Sequence, residues 1–373
     1  MNRTLLAVTA VLLGLASTGS ALAQVVQTPP DFPRGRISGY IFGDWYYNAA
    51  GDPVHAYNAT GADLGKANID GANPPAPITK DLNGMQIRRM YFQLDNDLSA
   101  RYATRVRFEA DGKSLTTDGK ISVAVKSLYV LAKSVVPRTD VYAGIVNTPI
   151  IETVEDFWGY RSIEKILPDF RGISGSADQG VAVKSFIDAN HVLGISALVA
   201  DGTGQRPETN RQKRCSLSFP IRWKDLHAEP YVDYENARNA VGSVDRATYQ
   251  AFVGYDLPYH SAIGWQMTDQ VQHQPTGPFK ELVGHSFFAR TQPKDTFGAF
   301  ARVDLWQPDK RLANRVDQQL WIAGVDWQPY KDVHVMPNIE AIQYTAKGTA
   351  AVPPHHDLQA RITFYWRFSR PQS

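Results

Sequence analysis

Residues 102–111 read YATRVRFEAD, and this stretch alternates strictly between two kinds of side chain. The even positions are mainly apolar and include Val106 and Phe108, whereas the odd positions include Arg105, Arg107 and Glu109. Strict alternation is the pattern of a β-strand with one apolar and one polar face. The stretch therefore predicts a strand that separates an apolar environment from a highly charged one.

The same pattern recurs along the chain. Met85–Asp95 is joined to the first stretch by the short turn Asn96–Arg101, so the pair predicts a β-hairpin. Further alternating segments follow, the last being Asp357–Phe368, and together they give sixteen predicted strands. Strands of about ten residues match the tilted span of a bilayer.

The connections between these strands fall into two classes, because short turns alternate with long polar loops. The long loops are Ala49–Leu82, Lys113–Lys120, Thr148–Asp178, Asp201–Lys213, Ala237–Asp245, Gln270–Lys280, Gln307–Gln318 and Ala346–His356. An even number of antiparallel strands places all the long loops at one end. This sorting is typical of an outer-membrane barrel, with short periplasmic turns and longer loops outside.

The N-terminus carries the features of an export signal. A short basic start, Met1-Asn2-Arg3, precedes the apolar run Leu5–Leu15 and the small-residue site Ala21-Leu22-Ala23. These features predict a signal peptide over residues 1–23, which leaves residues 24–373 as one barrel domain. No stretch reaches the roughly 18 apolar residues of a spanning helix, which excludes a helical inner-membrane protein. Export argues against a cytoplasmic enzyme.

Composition and motifs exclude several other classes of protein. The net charge of +2 provides no overall field for gathering nucleic acid. The single cysteine, Cys215, cannot form an internal disulfide or a thiolate cluster, and its apolar strand position favours a buried or lipid-facing side chain. HExxH, GxSxG and glycine-rich phosphate-binding motifs do not occur. We therefore predict no cofactor, no metal and no catalytic residue.

The C-terminal strand resembles that of a known class of proteins. Residues 364–368, FYWRF, resemble the aromatic-ending last strand of Gram-negative outer-membrane barrels, although residues 369–373 follow here where that class usually ends. The odd positions of the strand, including Arg361, are polar or amphipathic, whereas the even positions are apolar. An ordinary half-buried strand has the same pattern, but would need a second sheet to cover it.

Two further stretches are similar to the phosphate-selective porin family (O/P-like). RMYFQL at 89–94 with YATRVRFE at 102–109 is similar to its early hairpin. YRSIEK at 160–165 with SADQGV at 176–181 is similar to its central loop and return strand. The resemblance implies an all-β, transmembrane antiparallel β-barrel of 16 strands. It also implies a homotrimer, and loops folded into the lumen.

Thr148–Asp178 is the longest stretch in the middle of the chain that does not alternate. Its apolar positions predict a short helix over Glu152–Leu167, stopped by Pro168. It is the third long loop, the place where porins fold a constriction loop inward. Its candidate constriction residues are Glu152, Glu155, Asp156, Arg161, Glu164, Lys165 and Arg171. The three basic ones are candidates for the narrowest section, and the acids are candidates for pairing with a basic wall.

The polar face of each strand should line the lumen, because a barrel of 16 to 18 strands is too wide for side chains to fill. The predicted inward basic residues are Arg89, Arg105, Arg107, Lys126, Lys184, Arg214, Arg246, Arg290, Arg302 and Arg361. The predicted inward acidic residues are Glu109, Asp111, Glu229, Asp233, Glu235, Asp304, Asp326 and Glu340. Each basic side chain has two open roles, which are to hold the central loop or to contact solute directly.

These observations favour a passive outer-membrane porin for small hydrophilic solutes, with an anion or phosphate preference from Arg89, Arg105 and Arg107. The alternatives are a plugged barrel acting as a receptor or adhesin, in which Ala49–Leu82 fills the lumen, and a barrel hydrolase. The expected partners are outer-membrane lipid, small hydrophilic or anionic solutes and two further copies of the chain. No nucleic acid is expected.

Overall fold

The computed structural model describes residues 32–51, 80–208, 211–236, 245–273, 278–349 and 356–371. The predicted signal peptide lies outside the described residues. So does most of the predicted loops Ala49–Leu82, Ala237–Asp245 and Ala346–His356. Neither helix in the described part has the length and apolar content that a bilayer crossing requires.

The described chain is dominated by antiparallel strands. The strands are β1 (Arg34–Ala50), β2 (Asn83–Asp97), β3 (Tyr102–Leu115), β4 (Ile121–Val136), β5 (Thr139–Asn147), β6 (Ala177–Phe186), β7 (Gly194–Ala200), β8 (Arg214–Ser218), β9 (Ile221–Trp223), β10 (Leu226–Glu235), β11 (Asp245–Leu257), β12 (Ser261–His273), β13 (Lys280–Lys294), β14 (Phe297–Gln307), β15 (Arg315–Tyr330), β16 (Val333–Lys347) and β17 (Asp357–Pro371). The helices are α1 (Pro149–Trp158) and α2 (Leu167–Phe170).

The sheet closes on itself because β1 pairs with both β2 and β17. β8 and β9 occupy a single position, since both pair with β10, so the seventeen strands fill sixteen places. Pro220 lies at the break between them and has no N–H to donate to the ladder. The prediction of a 16-stranded antiparallel barrel is confirmed.

The outer face of the barrel is apolar. Exposed side chains of the predicted outward parity include Phe108, Val130 and Trp321. Tyr259 and Tyr330 are 77% and 76% exposed at short turns, where an outer-membrane barrel carries an aromatic girdle. For strands without a bulge, the side that faces outward was therefore predictable from alternation alone.

Two β-bulges change which residues face inward. Phe42 pairs with Arg89 while Gly43 pairs with Ile87, so Arg88 is the extra residue in β2. A bulge lets two successive side chains point the same way. Arg88 therefore reaches the interior beside Arg89, although strict alternation assigned it to the lipid face. The shift of register at Lys126 in β4 has the same effect.

The prediction of one helix over Glu152–Leu167 is wrong in its bounds. α1 starts earlier, with Pro149 in its first turn, where proline is tolerated. It ends at Gly159, whose φ of +73° is a left-handed conformation that favours glycine as a helix cap. Pro168 lies within the first turn of α2 and does not stop a helix.

Candidate functional site: the interior of the barrel

The segment 148–176 lies inside the barrel, and hydrogen bonds between its two ends close it where it leaves the wall. Thr148 donates a backbone hydrogen bond to Ser176 O at 3.2 Å, and its hydroxyl donates to Gly175 O at 2.6 Å. The apolar side of the segment is fully covered, since Ile150, Val154 and Trp158 are all 0% exposed. We call residues 148–176 the inner loop; the predicted loop Thr148–Asp178 extended two residues into β6.

The inner loop is held mainly by an apolar interface. Trp158 packs edge-on against Phe288 with ring centroids 5.3 Å apart, and Tyr160 lies 4.4 Å from Phe300. The wall side of this interface is formed by Tyr231, Phe252, Ala262, Phe288, Phe300, Leu320, Ile322, Met336 and Ile342. The expectation that charge pairs pin the loop to the wall therefore misses its largest attachment, because strands β10–β16 turn apolar side chains inward beneath it.

Hydrogen bonds add to this attachment, and they run mostly from wall side chains to loop backbone carbonyls. The donors and acceptors are Gln250 to Ile150 O (3.0 Å), Gln270 to Ile173 O (3.1 Å), Arg290 to Phe157 O (3.1 Å), Arg302 to Lys165 O (2.6 Å) and Arg88 to Ile163 O (2.8 Å). Among the described residues, only two ion pairs join an acid of the loop to a cation of the wall. They are Glu152 with Lys184 and, at 4.0 Å, Glu164 with Arg88.

Three of the predicted pore-lining arginines lie beneath the inner loop. Arg214, Arg302 and Arg361 are on the inner face, as alternation requires, but are only 7%, 2% and 2% exposed. Each is paired with an acid that was also predicted to line the pore: Asp233, Asp304 and Glu340, respectively. These six side chains are shielded from solute, so the direct-contact role does not extend to them.

Arg171 does not line a narrow section, which corrects the prediction. It is 1% exposed, donates to the Gln318 side chain at 2.6 Å and lies over the Trp306 ring. Burial lowers the pKa of Arg171 to about 10. The segment around Pro168 turns Arg171 towards the wall and away from the lumen.

The opposite wall, β2–β6, keeps its charges partly exposed. Arg105 lies over the Tyr129 ring at 5.6 Å, Arg107 over Tyr91 at 5.8 Å and Lys184 over Tyr142 at 5.1 Å. The side chains of Arg105 and Lys184 are 25% and 31% exposed. We call Arg105, Arg107 and Lys184, with their three tyrosines, the basic strip.

Arg107 differs from the other members of the basic strip in its partners. Arg105 pairs with Asp95 at 2.6 Å, and Lys184 pairs with Glu152. Arg107 donates through Nε to Gln93 at 2.5 Å, and among the described residues no carboxylate oxygen lies within 4.0 Å of it. Its positive charge is therefore the least neutralised of the three.

Arg89 and Lys126 are less available. Both pair with Glu109, and Arg89 also lies 3.4 Å from Asp111. The remaining predicted pore-lining residues also have partners. Arg246 pairs with Glu235 at 2.8 Å, and Arg290 approaches Asp256 at 3.9 Å. Asp326 contacts His334 at 2.9 Å, and Glu229 accepts a hydrogen bond from the Ser218 hydroxyl. Of the arginine cluster in the sequence analysis, only Arg105 and Arg107 remain partly exposed.

The charged side of α1 faces the basic strip. Glu152 contacts Lys184, and Arg107 acts electrostatically on Asp156. Arg161 pairs with Glu155 at 3.0 Å, and Lys165 pairs with Asp169 at 2.9 Å, so these two loop cations are neutralised within the loop itself. Acids of the inner loop and cations of the basic strip thus bound the same part of the interior.

Burial changes the pKa values of the acids on the charged side of α1. Burial raises the pKa of Glu155, an effect that Arg161 partly offsets. Partial loss of surrounding water raises the pKa of Asp156, and the neighbouring carboxylate of Glu152 raises it further, although the Asp156 side chain stays accessible to solvent. Both acids therefore take up protons at a higher pH than exposed carboxylates do.

A pH-dependent ion selectivity is expected from these shifts. Lowering the pH protonates Glu155 and Asp156 before ordinary carboxylates titrate, so the α1 face loses negative charge while the basic strip stays charged. Anion preference should therefore rise as the pH falls through the raised pKa values. Reversal potentials under a KCl gradient, measured in small pH steps, test this.

A double variant, Glu155→Gln with Asp156→Asn, serves as the control. It should be more anion-selective at neutral pH and should lose most of the pH response. An unchanged pH response in this variant would contradict the assignment.

A cavity of about 420 Å³ opens beside the basic strip, near the short turns, and includes Arg36, Asp95 and Lys133 in its lining. The described part of the chain has no group of three or more His, Cys, Asp or Glu side chains arranged to hold a metal ion.

No family model matches this sequence, and no curated protein matches it. Solved structures do match. The anion-selective porin from Comamonas acidovorans has a TM-score of 0.61 at 10% identity, covering 90% of this chain and 100% of that chain. The fold is shared with outer-membrane barrels.

Two other structures give the same result. The trimer form of OmpT, an outer membrane protein of Vibrio cholerae, has a TM-score of 0.60 at 11% identity and covers 90% of this chain and 99% of that one. The outer membrane channel DcaP of Acinetobacter baumannii has a TM-score of 0.59 at 10% identity, covering 91% and 99%. At these identities the likeness concerns the fold alone.

Proposed function

We propose that this protein is a bacterial outer-membrane channel that admits small hydrophilic solutes by passive diffusion and prefers anions. The observation that carries the proposal is the division of the interior into two halves. The inner loop makes a dry apolar contact with β10–β16, whereas the basic strip and the charged side of α1 remain partly exposed to each other. A water-accessible passage bounded by charge is what diffusion of hydrophilic solutes needs.

The comparisons support the same proposal. Among the matching structures are one described as an anion-selective porin and one described as an outer membrane channel. A trimer form occurs among them, which supports the proposal of a homotrimer here. Export through a signal peptide cleaved after Ala23, and membership of the phosphate-selective porin family, belong to the same proposal.

Reconstitution of the purified protein into planar bilayers tests the channel. Stepwise conductance with uptake of small sugars in liposome swelling is expected. A barrel that inserts but shows neither would be a plugged receptor instead, and would refute the channel.

Anion preference is expected to depend on Arg107, because its charge is the least neutralised in the basic strip. Arg107→Glu changes the local charge by two units. A unit charge pair at 4 Å interacts by about 1 kcal/mol even at the dielectric constant of water, so we expect the anion-to-cation permeability ratio to fall roughly tenfold or more. Reversal potentials under a KCl gradient measure it.

Arg311→Glu is the matched control. Arg311 lies in a long loop, is 49% exposed in its side chain and pairs with Glu281 at 2.9 Å. The same charge change there should leave the permeability ratio within about twofold, since exposed charges are screened by salt. Equal effects at the two sites would show that the basic strip does not set selectivity.

A further inference from the structure

The geometry points to a second binding site, for a small organic cation that carries a primary ammonium group. The site is a cavity of about 500 Å³ between α1 and the strands that run from β5 to β10. Its lining includes Arg138 and His191, which belong to short turns, so it lies at the short-turn end of the barrel.

Glu229 in the wall of this cavity lacks a cationic partner. Its side chain is almost fully buried, at 1% exposure. One carboxylate oxygen accepts a hydrogen bond from Ser218, whereas Oε2 accepts none of normal geometry. Among the described residues no Lys, Arg or His nitrogen lies within 4.0 Å of it, unlike the buried acids Asp233, Asp304 and Glu340. Burying a carboxylate without compensation is costly, so this oxygen is a ready acceptor for a charged donor.

A second unpartnered atom lines the same cavity. Ser196 is 6% exposed, and its Oγ has no hydrogen-bond partner. Ser196 pairs directly with Ser218 across β7 and β8, and Ser218 donates to Glu229. The register thus places Ser196 close to Glu229, and the side chain of Thr153 in α1 approaches the Glu229 carboxylate from the other side as a hydrogen-bonding neighbour.

An ammonium group fits this arrangement better than a neutral hydroxyl does. It has three N–H donors and no acceptor, so it can donate to Glu229 Oε2 and Ser196 Oγ at once and also compensate the buried charge. Lys184 cannot take this role, because its ammonium is committed to Glu152. The structure therefore assigns the positive end of a ligand to Glu229.

The rest of the cavity favours a compact organic body on that cation. Pro149, Phe186 and Pro220 contribute apolar surface to the lining. A volume of about 500 Å³ exceeds what an ammonium ion fills. A short alkylammonium would place its nitrogen at Glu229 and its chain against these residues.

This site goes beyond the proposed channel and does not rest on anion preference. The site uses one carboxylate on β10 and a hydroxyl on β7. Its cavity borders Lys184 and Tyr142 of the basic strip, but Arg105 and Arg107 lie outside its lining. Binding can therefore be tested without ion flux.

The test uses the full-length protein folded in detergent, with folding checked by circular dichroism, and n-butylammonium chloride as the probe in calorimetric titrations. Wild-type protein should bind butylammonium. Tetramethylammonium, which has the charge but no N–H, and butan-1-ol, which lacks the charge, should bind at least tenfold more weakly. Glu229→Gln should weaken butylammonium binding at least tenfold.

Ser196→Ala keeps the cavity and removes only the second acceptor, so it should weaken binding by about threefold or more, and it provides a readout should Glu229→Gln fail to fold. Glu281→Gln, which removes a carboxylate at the long-loop end, should leave binding unchanged. Absence of butylammonium binding to folded wild-type protein, or equal binding by wild type and both cavity variants, would overturn the proposal. Bilayer conductance of the same preparations reports separately on the channel.

Discussion

Trp158→Ala is expected to release the inner loop from the wall of the barrel. Trp158 is 0% exposed and contacts Tyr160, Phe288 and Phe300 through its ring. Truncating a buried tryptophan typically costs about 3–5 kcal/mol, since transfer energy and a cavity both contribute. That loss falls on loop docking, because Trp158 belongs to the loop and not to the sheet.

The release should be visible in two measurements. Limited proteolysis of the folded barrel should cut within the inner loop, residues 148–176, in the variant and spare the wild type. Single-channel recordings should show higher, noisier conductance, since a loose loop no longer fixes the width of the passage.

Trp223→Ala is the matched control, because Trp223 is 57% exposed on the outside of the barrel. It should change neither measurement. If Trp158→Ala resists proteolysis and conducts like the wild type, the hydrogen bonds from wall side chains to loop carbonyls are sufficient to hold the loop.

Arg302→Leu is expected to destabilise the barrel by about 3–5 kcal/mol, because it leaves Asp304 as an unpaired buried charge. The side chains of Arg302 and Asp304 are 1% and 0% exposed, and Arg302 Nε donates to Asp304 at 2.8 Å. Urea unfolding in lipid vesicles, followed by circular dichroism, measures the change.

The double variant Arg302→Leu with Asp304→Leu should recover most of this stability. Replacing both partners of a buried pair by apolar groups is often close to neutral. Recovery should be incomplete, since the hydrogen bond from Arg302 to Lys165 O is also lost.

Arg315 and Asp317 provide the control, with the same spacing along a strand and a similar 2.7 Å contact, but side chains 16% and 15% exposed. Arg315→Leu should cost well under half as much, because water still reaches Asp317. Similar losses at the two sites would show that burial does not determine the cost.

The sequence was sufficient to predict the barrel but not the way its interior is filled. Alternation in segments such as Tyr102–Asp111 reports which side chains face lipid, because the period of a strand is fixed. It reports nothing about what the inward side chains meet. Arg302 and Arg107 have the same parity signal, yet the first lies under the inner loop and the second faces the passage.

Some of the missed features did leave signals in the sequence. Phe252, Phe288 and Leu320 are apolar residues at inward positions of their strands, and such residues on a polar face indicate that something apolar covers them. The apolar residues of the inner loop are the surface that covers them. Arg88 turns inward because of a bulge, and the doublet Arg88-Arg89, after which the apolar positions change from odd to even, is its trace in the sequence.

The contacts of the inner loop join parts of the chain that are far apart. Gln250 and Ile150 are 100 residues apart, Arg302 and Lys165 are 137 apart, and Arg171 and Gln318 are 147 apart. The loop follows β5, whereas the apolar surface that receives it is completed only by β15 and β16. Trp158 and its neighbours therefore have no place to bury until most of the barrel has assembled. We therefore expect the loop to dock late in assembly, so that the width of the passage is set only after the wall exists.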